Sequence, residues 1–322
     1  MKIIALLPVL NEAWVLPHTL ACLSAFCDAI NVSDQRSDDR SREICQEFSK
    51  VTVLEAEDSH ISTRARWTLL DAARGYDGHN LLWFTDADEL VAPAAVRRLV
   101  EGRRRDLVPG TAIECTYVHL WTSPHRYREI GWTYGPQPKA IAFVDDRRMD
   151  YDRSLGQSIH EPRIPPGATT TIRADDVHVL HLQWLLPQRT QFRQAWYRCR
   201  EWLDRAQTAA AINERYFATL PEDGVPTLEV PASWTEGVSF PDFSVDREPS
   251  WSERDILGWF DAHTPEFFEP LEIWHLPSLE AAFRRHAGRR PKPDRSYRPS
   301  WSTRAMQVGR RAVAAARRRL PG

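Results

Sequence analysis

Short apolar runs alternate with helical patterns over the first ~100 residues, and this alternation limits the folds open to the chain. The runs typical of buried strands cover residues 2–8, 29–33, 51–55 and 80–85. Apolar residues recur at helical spacing in residues 16–26, 40–48, 63–74 and 94–104. Because strands that alternate with helices form βαβ units, the sequence predicts an α/β fold with a parallel sheet.

The pattern changes after about residue 110. Longer strands are predicted at 111–121, 139–144 and 175–184, and helices at 188–215, 252–263, 276–286 and 304–320. Residues 221–249 are rich in Pro, Ser and Gly and predict a loop, and residues 288–299 predict a Pro/Arg-rich linker. The predicted divisions of the chain are therefore 1–110, 111–220, 221–287 and 288–322.

Composition indicates a soluble globular protein, with 42% hydrophobic and 27% charged residues. No segment approaches the ~18–20 consecutive apolar residues that span a bilayer. The N-terminal apolar run contains Pro8 and lacks the cleavage site of a signal peptide, so it predicts a strand. The five cysteines form no CxxC pair, which favours free thiols in the reducing cytoplasm over a zinc site.

Basic charge is concentrated in the tail, where residues 284–322 hold 13 Lys and Arg and one acid, Asp294. The segment 301–320 also carries Trp301 and Met306, a combination that predicts peripheral contact with an anionic membrane surface. A solvated tail is an equal alternative. Nucleic-acid binding is disfavoured because the basic charge is confined to this tail.

Two carboxylates, Asp86 and Asp88, follow the apolar run "LLWFT". Residues two apart in a strand point the same way, so both side chains are expected together at the carboxyl edge of the sheet. Open α/β proteins bind ligands at that edge, and one or two carboxylates commonly hold a divalent cation that carries a substrate's diphosphate. The alternative is that both residues only form a turn or cap a helix.

Polar residues also follow the first two predicted strands, in the loop Pro8–Glu12 and at Asp34. Asp34 can accept a hydrogen bond from a nucleotide base, and Arg66 in the third predicted helix can bind phosphate or stack on a base. Taken singly, each of these residues is more typical of a cap or a surface ion pair than of a nucleotide site.

In order along the chain, "LPVLNEA", "VSDQRSDDRS", "TRARWTLLDAA" and "LLWFTDADEL" resemble the nucleotide-sugar-binding half of family-2 glycosyltransferases, which are inverting enzymes of the GT-A fold. The resemblance covers residues 1–100 and extends more loosely to 185 through "PKAIAF", "SIHEP" and "HVLHLQW". It implies a Rossmann-like, mostly parallel sheet flanked by helices, with a helical C-terminal extension. Residues 1–110 would then bind the donor, and residues 111–220 would form the acceptor-binding and catalytic half.

The resemblance also implies roles for individual residues. It assigns the nucleotide to Pro8, Asn11, Glu12, Asp34, Arg66, Asp86 and Lys139. It assigns Mg²⁺ or Mn²⁺ to Asp88, with Asp86 and His181 as further ligands. His178 and His181 lie three apart on a predicted strand, so only one of them can face the site, and the "HLQW" context favours His181.

An inverting enzyme needs a general base for the acceptor hydroxyl, and the resemblance points to Glu161 in "IHEP". The alternative for Glu161 is an ion pair with Arg163. Rival bases in the preceding loop are Asp145, Asp146, Asp150 and Asp152. Aromatic residues suited to sugar surfaces in this half are Trp121, Trp132, Tyr134 and Trp184.

The sequence therefore predicts an inverting glycosyltransferase that moves a sugar from a nucleoside-diphosphate donor, with a UDP-sugar favoured, to a hydroxyl-bearing acceptor. Two alternatives remain. A sugar-nucleotide pyrophosphorylase would need a Gly-rich loop after the first strand, where this chain has "PVLNEAW". A non-catalytic protein would bind the same donor without transferring its sugar.

Overall fold

The computed structural model describes residues 1–55, 64–129, 135–153, 162–205, 207–216, 226–243 and 251–296. The chain forms two compact units. The first contains Met1–Leu182 and Leu228–Asp242, and the second contains Gln183–Thr227 and Phe243–Gly322. The predicted basic helix 304–320 lies outside the described residues, so its contact with a membrane stays a prediction.

The first unit begins with four parallel strands, in the order β4-β1-β2-β3. The strands are β1 (Ile3–Val9), β2 (Ala29–Asp34), β3 (Val51–Glu55) and β4 (Leu81–Phe84). The helices that connect them are α1 (Leu16–Ser24), α2 (Ser41–Gln46) and α3 (Arg64–Ala73). The α/β fold predicted from the sequence, with a parallel sheet and flanking helices, is confirmed.

The remaining strands extend this sheet in antiparallel fashion through β8, which pairs with β4 and β6. The elements are β5 (Glu89–Val91), α4 (Pro93–Gly102), β6 (Thr111–Trp121), β7 (Arg126–Arg128), β8 (Gln137–Val144), β9 (Thr170–Trp184) and β10 (Thr227–Glu229). Strand β9 pairs with β5 and β6, so it runs beside the segment that follows β4. The short strands β5, β7 and β10 were not predicted, because three residues are too few for a periodic pattern to show.

Burial of β1 on both faces explains its continuous apolar sequence. Ala5 and Leu7 belong to one hydrophobic cluster, whereas Ile4 and Leu6 belong to another on the opposite face. Successive strand residues point to opposite faces, so a central parallel strand covered on both sides needs apolar residues at every position. The apolar run therefore ends where the strand ends, and the polar residues that follow lie at the edge of the sheet.

The second unit is helical in its described part, with α5 (Pro187–Leu203), α6 (Ala209–Arg215), α7 (Trp251–His263) and α8 (Pro277–Ala287). The single helix predicted over 188–215 is wrong, because the chain breaks between α5 and α6. Arg205 adopts a positive φ of 51°, and the Thr208 hydroxyl caps α6 by accepting from the Ala211 amide at 3.3 Å. Within the described residues, no helix is both long and apolar enough to cross a membrane.

Candidate active site

Side chains of the loop after β2 bind the backbone of the loop after β1. The two strands are in register at their ends, where Val9 is paired with Asp34. The amides of Asn11, Glu12 and Ala13 donate to Ser37 Oγ, Ser41 Oγ and Asp39 Oδ2 at 2.9–3.0 Å. In return, Asn11 Oδ1 accepts from the amides of residues 38 and 39 at 2.8 and 3.3 Å. The two loops predicted to hold the nucleotide therefore form one connected wall.

Of the residues predicted to bind the nucleotide here, Asn11, Glu12 and Asp34 are buried and Pro8 is half-buried. Glu12 accepts from the Trp14 indole at 2.7 Å, and Asp34 Oδ1 accepts from the Ser37 amide at 3.1 Å. The structure thus gives these side chains a role in shaping the loops. Their contact with a nucleotide stays a prediction.

Replacement of Asn11 tests the connection between the loops. Asn11 has a positive φ of 55°, which costs alanine about 1–2 kcal/mol, and alanine also lacks the acceptor for two amides. We expect Asn11→Ala to destabilise the fold by about 2 kcal/mol or more, measured by urea unfolding. Asn11→Gly removes the same acceptor without the backbone penalty, so it should be the milder variant. Equal stability of both variants would contradict the backbone argument.

The carboxylates Asp86 and Asp88 lie in the turn between β4 and β5, after the strand has ended at Phe84. The two-residue period of a strand therefore does not extend to them, and they bind different partners. Asp86 Oδ2 accepts from Arg163 Nη2 at 3.0 Å, and Arg66 Nη2 lies 3.9 Å from Asp86 Oδ1. Asp88 Oδ2 instead lies 3.2 Å from His181 Nε2.

Glu89, the residue after this pair, stabilises the turn through hydrogen bonds of its side chain. Its buried carboxylate accepts from the Asp86 amide at 3.0 Å, from the Tyr117 hydroxyl at 2.7 Å and from both arms of the Arg163 guanidinium. Burial alone would raise the pKa of Glu89, but the charge and hydrogen bonds of Arg163 hold that pKa below its ordinary value. Glu89 is therefore ionised and fixes both the turn and Arg163.

His181 lies between Asp88 and a second histidine, His119 on β6. The two Nδ1 atoms are 3.0 Å apart, and the ring of Tyr117 flanks both imidazoles at 5.2–5.3 Å between centroids. Burial, with a further contribution from His181, holds the pKa of His119 well below its ordinary value. The other predicted candidate, His178, stacks on Trp234 with ring centroids 3.7 Å apart.

Lys139 on β8 brings another cation to this edge, with its Nζ 3.5 Å from the centroid of the Tyr117 ring. Burial and the neighbouring Arg163 lower the pKa of Lys139 to about 8. Arg66, Lys139 and Arg163 thus surround Asp86. Such a cluster of cations suits a diphosphate, because each guanidinium or ammonium can donate to phosphate oxygens.

The predicted base Glu161 lies outside the described residues. The chain resumes at residue 162, whose carbonyl accepts from Arg66 Nη1 at 3.2 Å. Arg163, predicted as the ion-pair alternative for Glu161, pairs with Asp86 and Glu89. The described chain therefore re-enters beside the turn that carries the carboxylates.

The rival base Asp145 lies at the opposite edge of the sheet. Its amide donates to the carbonyl of Asn80, just before β4, and its carboxylate accepts from Arg74 at 3.0 and 3.2 Å. Asp146 follows directly and accepts from the amides of residues 148 and 149. Asp150 lies 3.6 Å from Arg74 as well. These positions disfavour the three residues as the base, and the role of Asp152 stays a prediction.

Two of the aromatic residues predicted for the acceptor half are described. Trp121 lies over the buried Arg128, with the guanidinium carbon 4.7 Å from the ring centroid, and Trp184 is buried. Trp132 and Tyr134 lie outside the described residues. The aromatic acceptor surface therefore stays a prediction.

Sequence reasoning missed Glu89, Tyr117 and His119. Tyr117 and His119 lie two apart on β6, so they share a face, but only the fold brings that face to the turn after β4. Glu89 is the third acid of "DADE" and could have been noticed there, although nothing in the sequence indicates that its side chain is buried.

The donor set beside Asp88 fits a divalent cation. Asp88 Oδ2 and His181 Nε2 are 3.2 Å apart, close to the separation of two donors that each lie ~2.1 Å from one ion at nearly a right angle. Within the described ranges, no group of three or more His, Cys, Asp or Glu residues is placed to hold a metal ion. The described residues would thus supply two donors, and substrate phosphates and water can supply others, as is usual for Mg²⁺.

The sheet, with flanking helices and polar loops at the carboxyl ends of its parallel strands, defines a mixed α/β fold. Residues 5–145 match the family model described as glycosyl transferase family 2. This part of the chain is therefore similar to glycosyl transferase family 2.

Solved structures similar to this chain include two of S. aureus TarS, both 12% identical. The first has a TM-score of 0.43 and covers 89% of this chain and 53% of that one. The second, of TarS 1-349, has a TM-score of 0.37 and covers 88% and 83%. A mycobacterial protein is 21% identical with a TM-score of 0.29, over 37% and 41%. This chain therefore spans about half the length of the longer TarS chain. No curated protein matches it.

Proposed function

We propose that the protein is an inverting glycosyltransferase that uses a nucleoside-diphosphate sugar, preferably a UDP-sugar, and a hydroxyl-bearing acceptor. The observation that carries the proposal is the pairing of Asp88 with His181 next to the cationic cluster around Asp86. Both lie at the carboxyl edge of the parallel strands, where α/β proteins bind nucleotides.

The cationic cluster supports binding of the donor's diphosphate. Asp86 lies close to Arg66 and pairs with Arg163, Glu89 pairs with Arg163, and both carboxylates act electrostatically on Lys139. Because the pKa of Lys139 is lowered to about 8, its ammonium is mostly protonated at neutral pH and would be favoured further beside a phosphate. The chain thus holds the leaving group by charge, and the connected loops after β1 and β2 would enclose the base and ribose.

Asp88 and His181 would hold Mg²⁺ or Mn²⁺, with Asp86 on the ribose side or in the ion's water shell. When bound, such an ion offsets the negative charge that develops on the departing diphosphate. A histidine donor favours Mn²⁺ over Mg²⁺, because imidazole is not a preferred ligand of magnesium.

Glu161 would remove the proton of the acceptor hydroxyl. The acceptor oxygen then bonds to the anomeric carbon from the face opposite the diphosphate, and the bond from that carbon to the diphosphate oxygen breaks. The electron pair of that bond leaves with the diphosphate, so the configuration at the sugar carbon is inverted. The contacts of Pro162 and Arg163 with Arg66 and Asp86 support Glu161, because they bring the adjacent chain to the site.

A thermal-shift panel of nucleotide sugars with Mn²⁺ tests this function. A donor present at 100 times its dissociation constant stabilises the fold by about 2.7 kcal/mol, and we expect that shift for one nucleoside-diphosphate sugar. The same donor should then release its nucleoside diphosphate when acceptors are added, measured by chromatography. Absence of any shift and any release across the panel would contradict the proposal.

The alternatives give different results in the same experiment. A non-catalytic protein would show the shift without release of the nucleoside diphosphate. A pyrophosphorylase would form pyrophosphate, but its phosphate loop needs free amides after β1. Here the amides of residues 11–13 already donate to Ser37, Ser41 and Asp39, which disfavours that alternative.

A further inference from the structure

The contact between His119 and His181 has a consequence for the proposed cation site. Each imidazole nitrogen either carries a proton or offers a lone pair. Since the two Nδ1 atoms are 3.0 Å apart, one ring must donate and the other must accept. For a neutral ring, the direction of this hydrogen bond also decides whether His181 Nε2, the nitrogen beside Asp88, carries a proton or a lone pair.

A cation beside Asp88 needs the lone pair of His181 Nε2, which is the nitrogen 3.2 Å from the carboxylate. The proton of His181 must then be on Nδ1, and His119 Nδ1 must accept it. We infer that His119 is a positioning residue, which accepts the Nδ1 proton of His181 and so turns the Nε2 lone pair toward a divalent cation. This inference rests on the proposed metal-dependent function.

A histidine partner differs from the carboxylate or carbonyl that usually accepts from a metal-bound imidazole. Without a cation, a proton on His181 Nε2 can be donated to the Asp88 carboxylate. The Nδ1 of His181 then has a lone pair, and His119 Nδ1 can donate to it. With a cation, both rings exchange tautomers and the hydrogen bond reverses. The number of protons on the pair stays the same, so a neutral pair needs no proton donor or acceptor beyond solvent exchange.

The surroundings of His119 fit this role. Its side chain is buried on β6, and the ring of Tyr117 packs against both imidazoles. The ring centroids of His119 and His181 are 4.9 Å apart at an angle of 67°, so the two rings are held edge to face. Such packing keeps the two Nδ1 atoms together while the protons move.

The experiment measures Mn²⁺ affinity by electron paramagnetic resonance for three variants without substrate. His119→Phe keeps a ring but removes the acceptor, so we expect it to weaken Mn²⁺ binding by roughly 10- to 100-fold. His119→Gln restores an acceptor oxygen and should recover part of that loss. His178→Phe is the matched control, because His178 lies on the same strand as His181 and stacks on Trp234 instead.

Nitrogen-15 NMR of labelled histidines gives a second measurement on the wild-type protein, which does not depend on a variant that folds. With Mg²⁺ bound, His181 should carry its proton on Nδ1 and His119 on Nε2. An unprotonated His181 Nδ1 under these conditions, or wild-type Mn²⁺ affinity in His119→Phe, would overturn the inference and leave the proposed function intact. A wild-type protein that binds neither ion would overturn the metal-dependent function together with the inference.

Discussion

The proposed glycosyl transfer is expected to fall at least about 100-fold in Asp88→Asn, because a bound cation would contribute several kcal/mol to the stabilisation of the departing diphosphate. The amide cannot replace the carboxylate charge beside His181 Nε2. The fold should remain, since the backbone carbonyl of Asp88 still accepts from the Leu182 amide at 2.8 Å. Activity is measured as release of nucleoside diphosphate, and folding as the thermal midpoint without ligand.

Comparison with Asp86→Asn separates the two carboxylates. Asp86 is paired with Arg163 and Arg66, so its variant should weaken donor binding while Mn²⁺ still binds to the protein. Asp88→Asn should weaken Mn²⁺ binding itself. Asp176→Asn, an exposed carboxylate on β9, is the matched control and should match the wild type in both measurements. Full transfer activity in Asp88→Asn would show that the cation is not held there.

The sequence predicted the parallel half of the fold well because its strands are buried on both faces. The apolar runs of β1 to β4 have no exposed side to break their pattern, so their ends could be read to within a few residues. The long helix predicted over 188–215 was wrong because the break at Arg205 involves no Gly or Pro. The strands β5 and β7 are three residues long, and their pairing comes from neighbours distant in sequence.

The site was only partly predictable, for a related reason. Asp86 and Asp88 could be selected from their spacing and His181 from the family resemblance. The structure places the two carboxylates in one turn and His181 on β9 beside Asp88. The positions of His119 and Tyr117 follow from pairing of β6 with β8 and β9, which local periodicity does not reveal. The ionisation of Glu89 depends on Arg163, which lies 74 residues away in the chain. Such buried pairs are tertiary features and leave no local signal.

Removal of the Arg163 charge is expected to have the largest effect on stability. In Arg163→Met the buried Glu89 loses the guanidinium that pairs with it, and breaking a buried pair from one side costs about 3–5 kcal/mol. The double variant Glu89→Gln/Arg163→Met removes the uncompensated charge and keeps an acceptor for Tyr117. Its loss of stability should therefore be smaller than that of Arg163→Met alone, measured by urea unfolding at pH 7.5.

The pH dependence of the unfolding free energy is a more specific test, because the contribution of Glu89 changes with pH in opposite directions in the wild type and in Arg163→Met. In the wild type, the pKa of Glu89 falls from 4.5 to about 2, because Arg163 outweighs burial. Its contribution to stability is complete above pH 4.5 and is lost as the pH falls toward 2. In Arg163→Met, burial dominates and raises the pKa of Glu89 above its unfolded value, so the folded variant gains a proton first as the pH falls.

The difference in unfolding free energy between Arg163→Met and the wild type should therefore shrink between pH 7.5 and pH 5, by up to about 1.4 kcal/mol for each pH unit below the raised pKa. Glu89→Gln/Arg163→Met lacks the titrating carboxylate, so its difference from the wild type should stay constant over this range. A constant difference in unfolding free energy for Arg163→Met as well would contradict this argument. It would mean that Glu89 keeps its charge without the guanidinium. The Tyr117 hydroxyl and the Asp86 amide would then suffice to stabilise the carboxylate.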